Sequence, residues 1–322
     1  MKVGYGASGV HLSSAHALLK DIARQTKQPI SHFASVVSFD GFRLAFSADG
    51  VGTKVELLRA SGLNWISGWD AVAMNANDLL CVGARPMWCL DYYAQGRLNR
   101  RVFGQVLHGL NKALDVLGAR LVGGETAELP GLFHRPEVYD VACFLTGTIA
   151  DHGLNPRKIR PGDVLVGWPS AGPHANGFSL IRKILTGSEV RARAKELLAP
   201  TRLYEREIRP LLADQKTKGM IRSLAHITGG GFIEKLPRAM NENCRAVLRW
   251  GSWPVPSVFG YLQKKSNLNH QEACGVWNMG IGLVAVIGQE SWPKLARRLG
   301  DQVVPIGEIT RREARQESVC FA

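Results

Sequence analysis

The stretch Leu121-Val122-Gly123-Gly124-Glu125-Thr126-Ala127-Glu128-Leu129-Pro130-Gly131 sets the reading of the whole chain. Upstream of it a helical pattern stops at Gly118, and Ala119, Leu121 and Val122 then read as a buried strand. The strand pattern breaks at the paired glycines and releases two carboxylates, Glu125 and Glu128, before Pro130-Gly131 turns the chain. A strand end that frees acids from a flexible backbone suits a hard cation. Magnesium takes oxygen ligands in near-octahedral array, usually one or two carboxylates shared with substrate phosphates. Taken alone, the segment also reads as a hairpin turn with solvated glutamates.

Working outward, residues 99–118 make an amphipathic helix with Val102, Val106, Leu110, Ala113, Leu114 and Leu117 on the apolar face. Residues 86–93 and 139–150 read as strands, residues 66–82 as a helix, and residues 43–48 as a strand. A β-α-β-α-β rhythm therefore fills the first half. Ser13 or Ser14 can cap an earlier helix that ends before Gln28-Pro29. Residues 151–162 are polar with two prolines and make the best domain boundary. The second half offers strands at 163–168, 282–287 and 303–308, with helices from Phe178, at 191–199, 202–212 and 290–299. The expectation is an α/β (α+β) chain of two domains, residues 1–155 and 156–322.

Four places carry candidate chemistry. Strand 43–48 runs into Asp49-Gly50-Val51-Gly52-Thr53-Lys54, where freed backbone N–H groups and a lysine suit phosphate oxygens, although the Walker spacing occurs nowhere. In helix 66–82, Asp70 and Asn77 lie roughly 20° apart around the axis with Asp78 adjacent. Acids on an apolar helix face are costly to bury unless paired or bound to metal. For Asp70 a buried-polar role competes; Asp78 reads as metal or nucleotide work. Glycines flank His174 and Asn176 at residues 172–179, and Thr228-Gly229-Gly230-Gly231 precedes another helix. A tight turn rarely needs three glycines, whereas close approach of backbone to a phosphate explains them. His174 reads equally well as a satisfied structural histidine.

The bulk numbers narrow the class. The 322 residues are 45% hydrophobic and 21% charged, with no run long enough to span a membrane and no secretory pattern over residues 1–19. Cys81, Cys89, Cys143, Cys244, Cys274 and Cys320 form no C-x-x-C pair, which reads as reduced thiols in a cytoplasmic protein. The net charge of +13 is spread thinly, densest at residues 97–101, 191–195, 297–298 and 311–315, without nucleic-acid motif spacing. Surface drift plus attraction of phosphates accounts for it.

Read in order, SADGVGTK (47–54), WDAVAMNANDLLCVGARP (69–86), LDYYAQGRL (90–98), LVGGETAELPG (121–131), YDVACF (139–144), GPHANGFSLIRKIL (172–185), LLAPTRLY (197–204) and AHITGGGFIEKLPR (225–238) resemble the phosphoribosylformylglycinamidine cyclo-ligase (aminoimidazole ribonucleotide synthetase) family of purine biosynthesis. The resemblance covers most of the chain. It implies a two-domain subunit that dimerises through its N-terminal strands, and ATP-dependent ring closure of formylglycinamidine ribonucleotide. It also implies magnesium at Asp49, Asp78 and Glu125, with Asp70 in support. ATP would meet Asp49, Gly50, Gly52, Thr53, Lys54, Asn77, Gly123 and Gly124. Phosphate or substrate would meet His174, Asn176, Thr228, Gly229 and Gly230, with His174 carrying a proton and Lys54 and Asp78 completing the catalytic set. The chain departs from the family in lacking glycines upstream of residue 49, and in carrying Tyr5-Gly6-Ala7-Ser8-Gly9-Val10 for YKDAGV and Gly275-Val276-Trp277-Asn278 for RTFN. Two relatives, the hydrogenase-maturation dehydratase (which works through a C-terminal cysteine, compare Cys320) and selenophosphate synthetase, stay open, as does a basic binding or scaffold protein without turnover.

Overall fold

The structure, a computed structural model, describes residues 12–26, 33–150 and 153–322. The YKDAGV-like segment and the Gln28-Pro29 helix stop lie outside the described residues. The first half contains α1 (Leu12–Thr26), β1 (Ser35–Phe39), β2 (Phe42–Gly50), α2 (Lys54–Ala60), α3 (Asn64–Cys81), β3 (Ala84–Gln95), α4 (Arg100–Leu117), β4 (Arg120–Glu128) and β5 (Tyr139–Ile149). Its sheet runs β1-β2-β5-β3-β4. The second half contains β6 (Val164–Pro169), α5 (Phe178–Ile184), α6 (Gly187–Ala192), α7 (Ala194–Leu197), α8 (Glu205–Ala213), β7 (Ile221–His226) and α9 (Gly231–Lys235). It continues with β8 (Cys244–Leu248), α10 (Ser257–Ser266), α11 (His270–Ala273), β9 (Ile281–Ile287), α12 (Trp292–Leu299), β10 (Val304–Arg311) and β11 (Val319–Phe321). Its sheet runs β11-β8-β10-β6-β9-β7.

Local chemistry sets the helices that matter for the site. Asn99 caps α4 by accepting from the backbone N–H of Arg101 and Val102 at 3.0 and 3.1 Å, and Gly118 ends it in the left-handed conformation. α3 and α4 then touch backbone to backbone. A Cβ at Gly68 would meet Val106 O at 1.9 Å, and one at Gly109 would meet Trp65 O at 1.7 Å. That contact fixes α3 against one face of the first sheet. From there α3 reaches into the second half as well, since Leu80 and Cys81 share a buried cluster with Val166, Trp168 and Tyr204.

Two sequence expectations change. β4 does not end at the paired glycines but continues to Glu128, because its parallel pairing with β3 runs from Trp88–Arg120 to Gln95–Glu128. Residues 198–204, expected to be mostly helical, are a connection without regular structure between α7 and α8. Their backbone groups bond to side chains of α2 and α3 in place of a helix ladder.

Candidate active site

Two carboxylates converge where β2 ends against α3. Asn75, fully buried on α3, donates from Nδ2 to the carbonyls of Asp49 (3.2 Å) and Cys143 (3.1 Å), so the helix holds the end of β2 in place. Three residues on, Asp78 accepts from His226 Nδ1 at 2.8 Å. The tautomer follows from the network. Asn77 Oδ1 accepts from Tyr204 N, so its Nδ2 faces His226 Nε2 (3.3 Å), which must accept and leave the proton on Nδ1. Burial, then the charge of Asp78, push the Asp49 carboxyl up to about 6, against the Gly50 N–H, His226 and Lys235. Lys235 on α9 is pulled down by burial and Arg238, and held up by Asp78, Asp49 and Glu234.

Enclosed like charges call for a cation. Among the described residues no group of three or more His, Cys, Asp or Glu side chains could hold a metal. The pair Asp49 and Asp78 does fit magnesium that draws its other oxygens from phosphates and water. One helical turn beyond Asp78 lies a cavity of about 290 Å³, lined by Phe33, Val36, Cys81, Leu224, Arg238 and the buried hydroxyl of Ser223, which has no partner among the described residues.

Glu125 does not join this pair. Asp49, Cys143, Asp91 and Gly124 share one row across the sheet, and Gly50, Ala142, Tyr92 and Glu125 share the next. Adjacent rows face opposite sides, and β4 is three strand spacings from β2, roughly 14 Å. Glu125 therefore points from the other face, and a three-carboxylate centre does not form within one chain. Gly124 is required by Asp91, whose Oδ1 would lie 2.0 Å from a Cβ there. Gly123 sits on the Glu125 side, opposite Leu90.

Lys54, expected at a phosphate, is fully buried. Its ammonium donates to Asp70 Oδ2 (2.6 Å) and Ala199 O (2.8 Å), while Asp70 Oδ1 accepts from Thr201 N (2.7 Å). Burial pushes Lys54 down and Asp70 up, and their mutual attraction opposes both shifts. Lys54 and Asp70 thus pin residues 199–201 to α2 and α3. Asn77 acts alike: its Oδ1 accepts from Tyr204 N, and its Nδ2 faces His226 and donates to Arg202 O at 2.9 Å. His174 is also enclosed. Nε2 accepts from Ala171 N (3.2 Å), burial, then the charges around it, hold its pKa well below 6.5, and Nδ1 has no partner among the described residues. A proton carrier needs an open path, and this ring has none.

The glycine run is mostly structural. Gly230 and Gly231 have φ of +84° and +57°, and a Cβ at Gly231 would meet Cys274 O at 1.9 Å. Only Gly229 is open toward the site, 3.5 Å from Asn176 Oδ1 at its would-be Cβ. Thr228 O closes the turn by accepting from Gly231 N at 2.8 Å. Asn176 Nδ2 and Trp277 Nε1 are buried without hydrogen-bond partners among the described residues, and Trp277 Nε1 packs on Gly177. Gly50, Gly52 and Thr53 form the link from Asp49 to α2, with Thr53 Oγ1 3.1 Å from Ser179 Oγ across the mouth. Sequence reasoning passed over Asn75, Asp91, His226 and Lys235. His226, three residues ahead of the glycine run, was the one with a signal. Cys320 sits in β11, at the opposite edge of the second sheet from His226 on β7, five spacings or roughly 24 Å away.

The fold recurs in known structures. The chain is similar to AaThiL complexed with AMPPCP and TMP (TM-score 0.66, 16% identity, 94% of this chain and 92% of that one). It is similar to a HypE–HypF complex (0.68, 16%, 95% and 95%) and to HypE in complex with ATP (0.65, 20%, 95% and 90%). At these identities the likeness is one of fold. Residues 32–149 match the profile described as AIR synthase related protein, N-terminal domain, and residues 160–318 match its C-terminal domain. With well over half its length matched, and the two-domain α/β architecture in place, the chain belongs to the AIR synthase related family.

Proposed function

We propose that this protein closes the imidazole ring of formylglycinamidine ribonucleotide at the expense of ATP, with Asp49 and Asp78 sharing magnesium with the nucleotide phosphates. The reading rests above all on the convergence of those two carboxylates at a half-enclosed strand end. ATP gives its terminal phosphoryl to the formyl amide oxygen and leaves as ADP. The neighbouring nitrogen attacks the activated carbon and loses a proton, and inorganic phosphate departs with that oxygen. Bound metal supplies neutralisation of the phosphate charge. His226 aims Asp78, Asn75 fixes Asp49, and Asn176 Nδ2 with the backbone at Gly229 holds the substrate. The apolar cavity beside Cys81 takes the nucleoside. AMPPCP and ATP in the similar AaThiL and HypE structures support the choice of nucleotide. The reaction itself is favoured by the ordered motifs, including LDYYAQGRL and LLAPTRLY. Two copies of the chain pair through the outer face of the first sheet, where Trp88, Leu90, Tyr92, Val122 and Phe144 are exposed.

A second reading, phosphorylation without ring closure, draws on the likeness to AaThiL with TMP. The two separate in one assay. Ring closure releases ADP and inorganic phosphate in equal amounts from magnesium, ATP and the ribonucleotide; a kinase releases ADP alone. Asp78→Asn should lower turnover at least about hundredfold while the melting curve stays in place. ADP without phosphate would overturn the cyclo-ligase reading, and an active Asp78→Asn enzyme would overturn the site.

A further inference from the structure

The net charge of +13 finds no use at the candidate active site, where the converging groups are acids. Two basic runs distant in sequence, residues 157–160 and 311–315, meet in the fold. Between them opens a basin of about 510 Å³ lined by Arg157, Arg160, Arg311, Asn241 and Asn243, with buried Cys244 among them. Its walls are braced. Asn241 Nδ2 donates to Ile159 O (3.2 Å), Gly162 N to Ile309 O (2.8 Å) and Arg312 N to Asn243 O (2.9 Å). Arg311 faces Cys244 in the β10–β8 register. Arg160 is shared with Glu290 at 3.2 Å, whereas Arg157 and Arg311 have no ion-pair partner among the described residues. The basin lies beside β8, four strand spacings or roughly 20 Å from β7 and His226.

We propose that this basin is a second, metal-independent binding site for a small polyphosphate anion. Guanidinium groups bind phosphate through paired hydrogen bonds, and two without ion-pair partners among the described residues, lining one basin, fit a ligand with at least two phosphates. The carboxamides of Asn241 and Asn243 can each donate and accept, which suits the rest of a nucleotide or further phosphate oxygens. The volume of about 510 Å³ is that of a small-molecule site. The proposal is independent of the ATP reading, because Asp49 and Asp78 repel anions when no divalent cation is present.

Isothermal titration of the full chain in EDTA, with tripolyphosphate and separately with ADP, tests it. One site should appear, unchanged in Asp78→Asn and weakened at least about tenfold in Arg157→Glu/Arg311→Glu. The charge-neutral Arg157→Gln/Arg311→Gln should lose a similar factor, and since both side chains are exposed the fold is kept. Tighter binding of ADP names a nucleotide as the source of the phosphates; tighter binding of tripolyphosphate names a free polyphosphate. Absence of binding by the native chain, or equal affinity in both double variants, overturns the proposal. An RNA oligonucleotide that binds more tightly than either anion, and is lost in the same variants, also overturns it.

Discussion

The five-stranded sheet has two unlike faces. On the inner one, α3 and α4 cover the strands, and α3 with α2 is stitched to residues 199–204 and to His226 by charged and neutral hydrogen bonds. On the outer one, Trp88, Leu90, Tyr92, Val122 and Phe144 stand 38% to 56% exposed, with Phe144 stacked on Phe46 at 6.0 Å. The inner face is completed by the chain's own second half, which supplies carbonyls and N–H groups at fixed positions. The outer face presents exposed apolar side chains at alternating positions, and an apolar surface of that kind marks an interaction site. One sheet therefore divides its work: its inner side holds the candidate site, and its outer side is free for assembly.

The largest expected effect breaks the inner face. Lys54→Met leaves Asp70 buried and unpaired and should cost about 3–5 kcal/mol in urea unfolding. The double variant Lys54→Met/Asp70→Leu should recover most of it, because two neutral side chains carry no desolvation penalty. A Lys54→Met protein within about 1 kcal/mol of native would show that the pair is not what joins the halves.

An intermediate effect sharpens the comparison through pH. His174 has its pKa depressed by burial below its ordinary 6.5, so above that pH both folded and unfolded states are neutral and its contribution is fully present. As pH falls from 6.5 the unfolded chain takes up a proton that the native ring refuses. Stability is then lost, at up to about 1.4 kcal/mol per pH unit for one proton, until the folded value is reached. His174→Gln should flatten this acid limb in melting curves between pH 7 and 5. An unchanged slope would place the linked proton elsewhere.

The smallest effect on stability belongs to the outer face. Leu90→Glu should leave the unfolding free energy of a single chain within about 0.5 kcal/mol, since the side chain is 42% exposed on the sheet surface. It should nonetheless turn a dimer into a monomer in sedimentation velocity. A dimer that survives would locate the assembly surface elsewhere.

Much of the fold was legible because its signals are local. The α4 helix reads from its 3.6-residue apolar period and its Gly118 terminator, and the Asn99 cap that the structure adds is equally local. The acids Asp49 and Asp78 were legible as candidates because each stands on an otherwise apolar segment. In sequence Lys54 reads as a phosphate ligand and Asp70 as either a buried polar group or a support for the metal, and nothing local reveals that each is the other's partner across sixteen residues. Glu125 failed for a related reason. Which face a residue takes depends on strand register, and β4 continues through its glycines only because β3 offers a parallel partner. Asn75 carried no signal at all, being one amide among helix residues.

By itself the sequence determined the two-domain α/β class, the order of the main elements and the broad AIR synthase related family, since these follow from periodicity and ordered motifs read along one dimension. Only the tertiary structure decided which charges are spent on each other, which face each carboxylate takes, and that two remote basic runs share one basin. Those outcomes depend on distances of a few ångströms between segments far apart in the chain, and on burial, which raises the cost of any charge left without a partner.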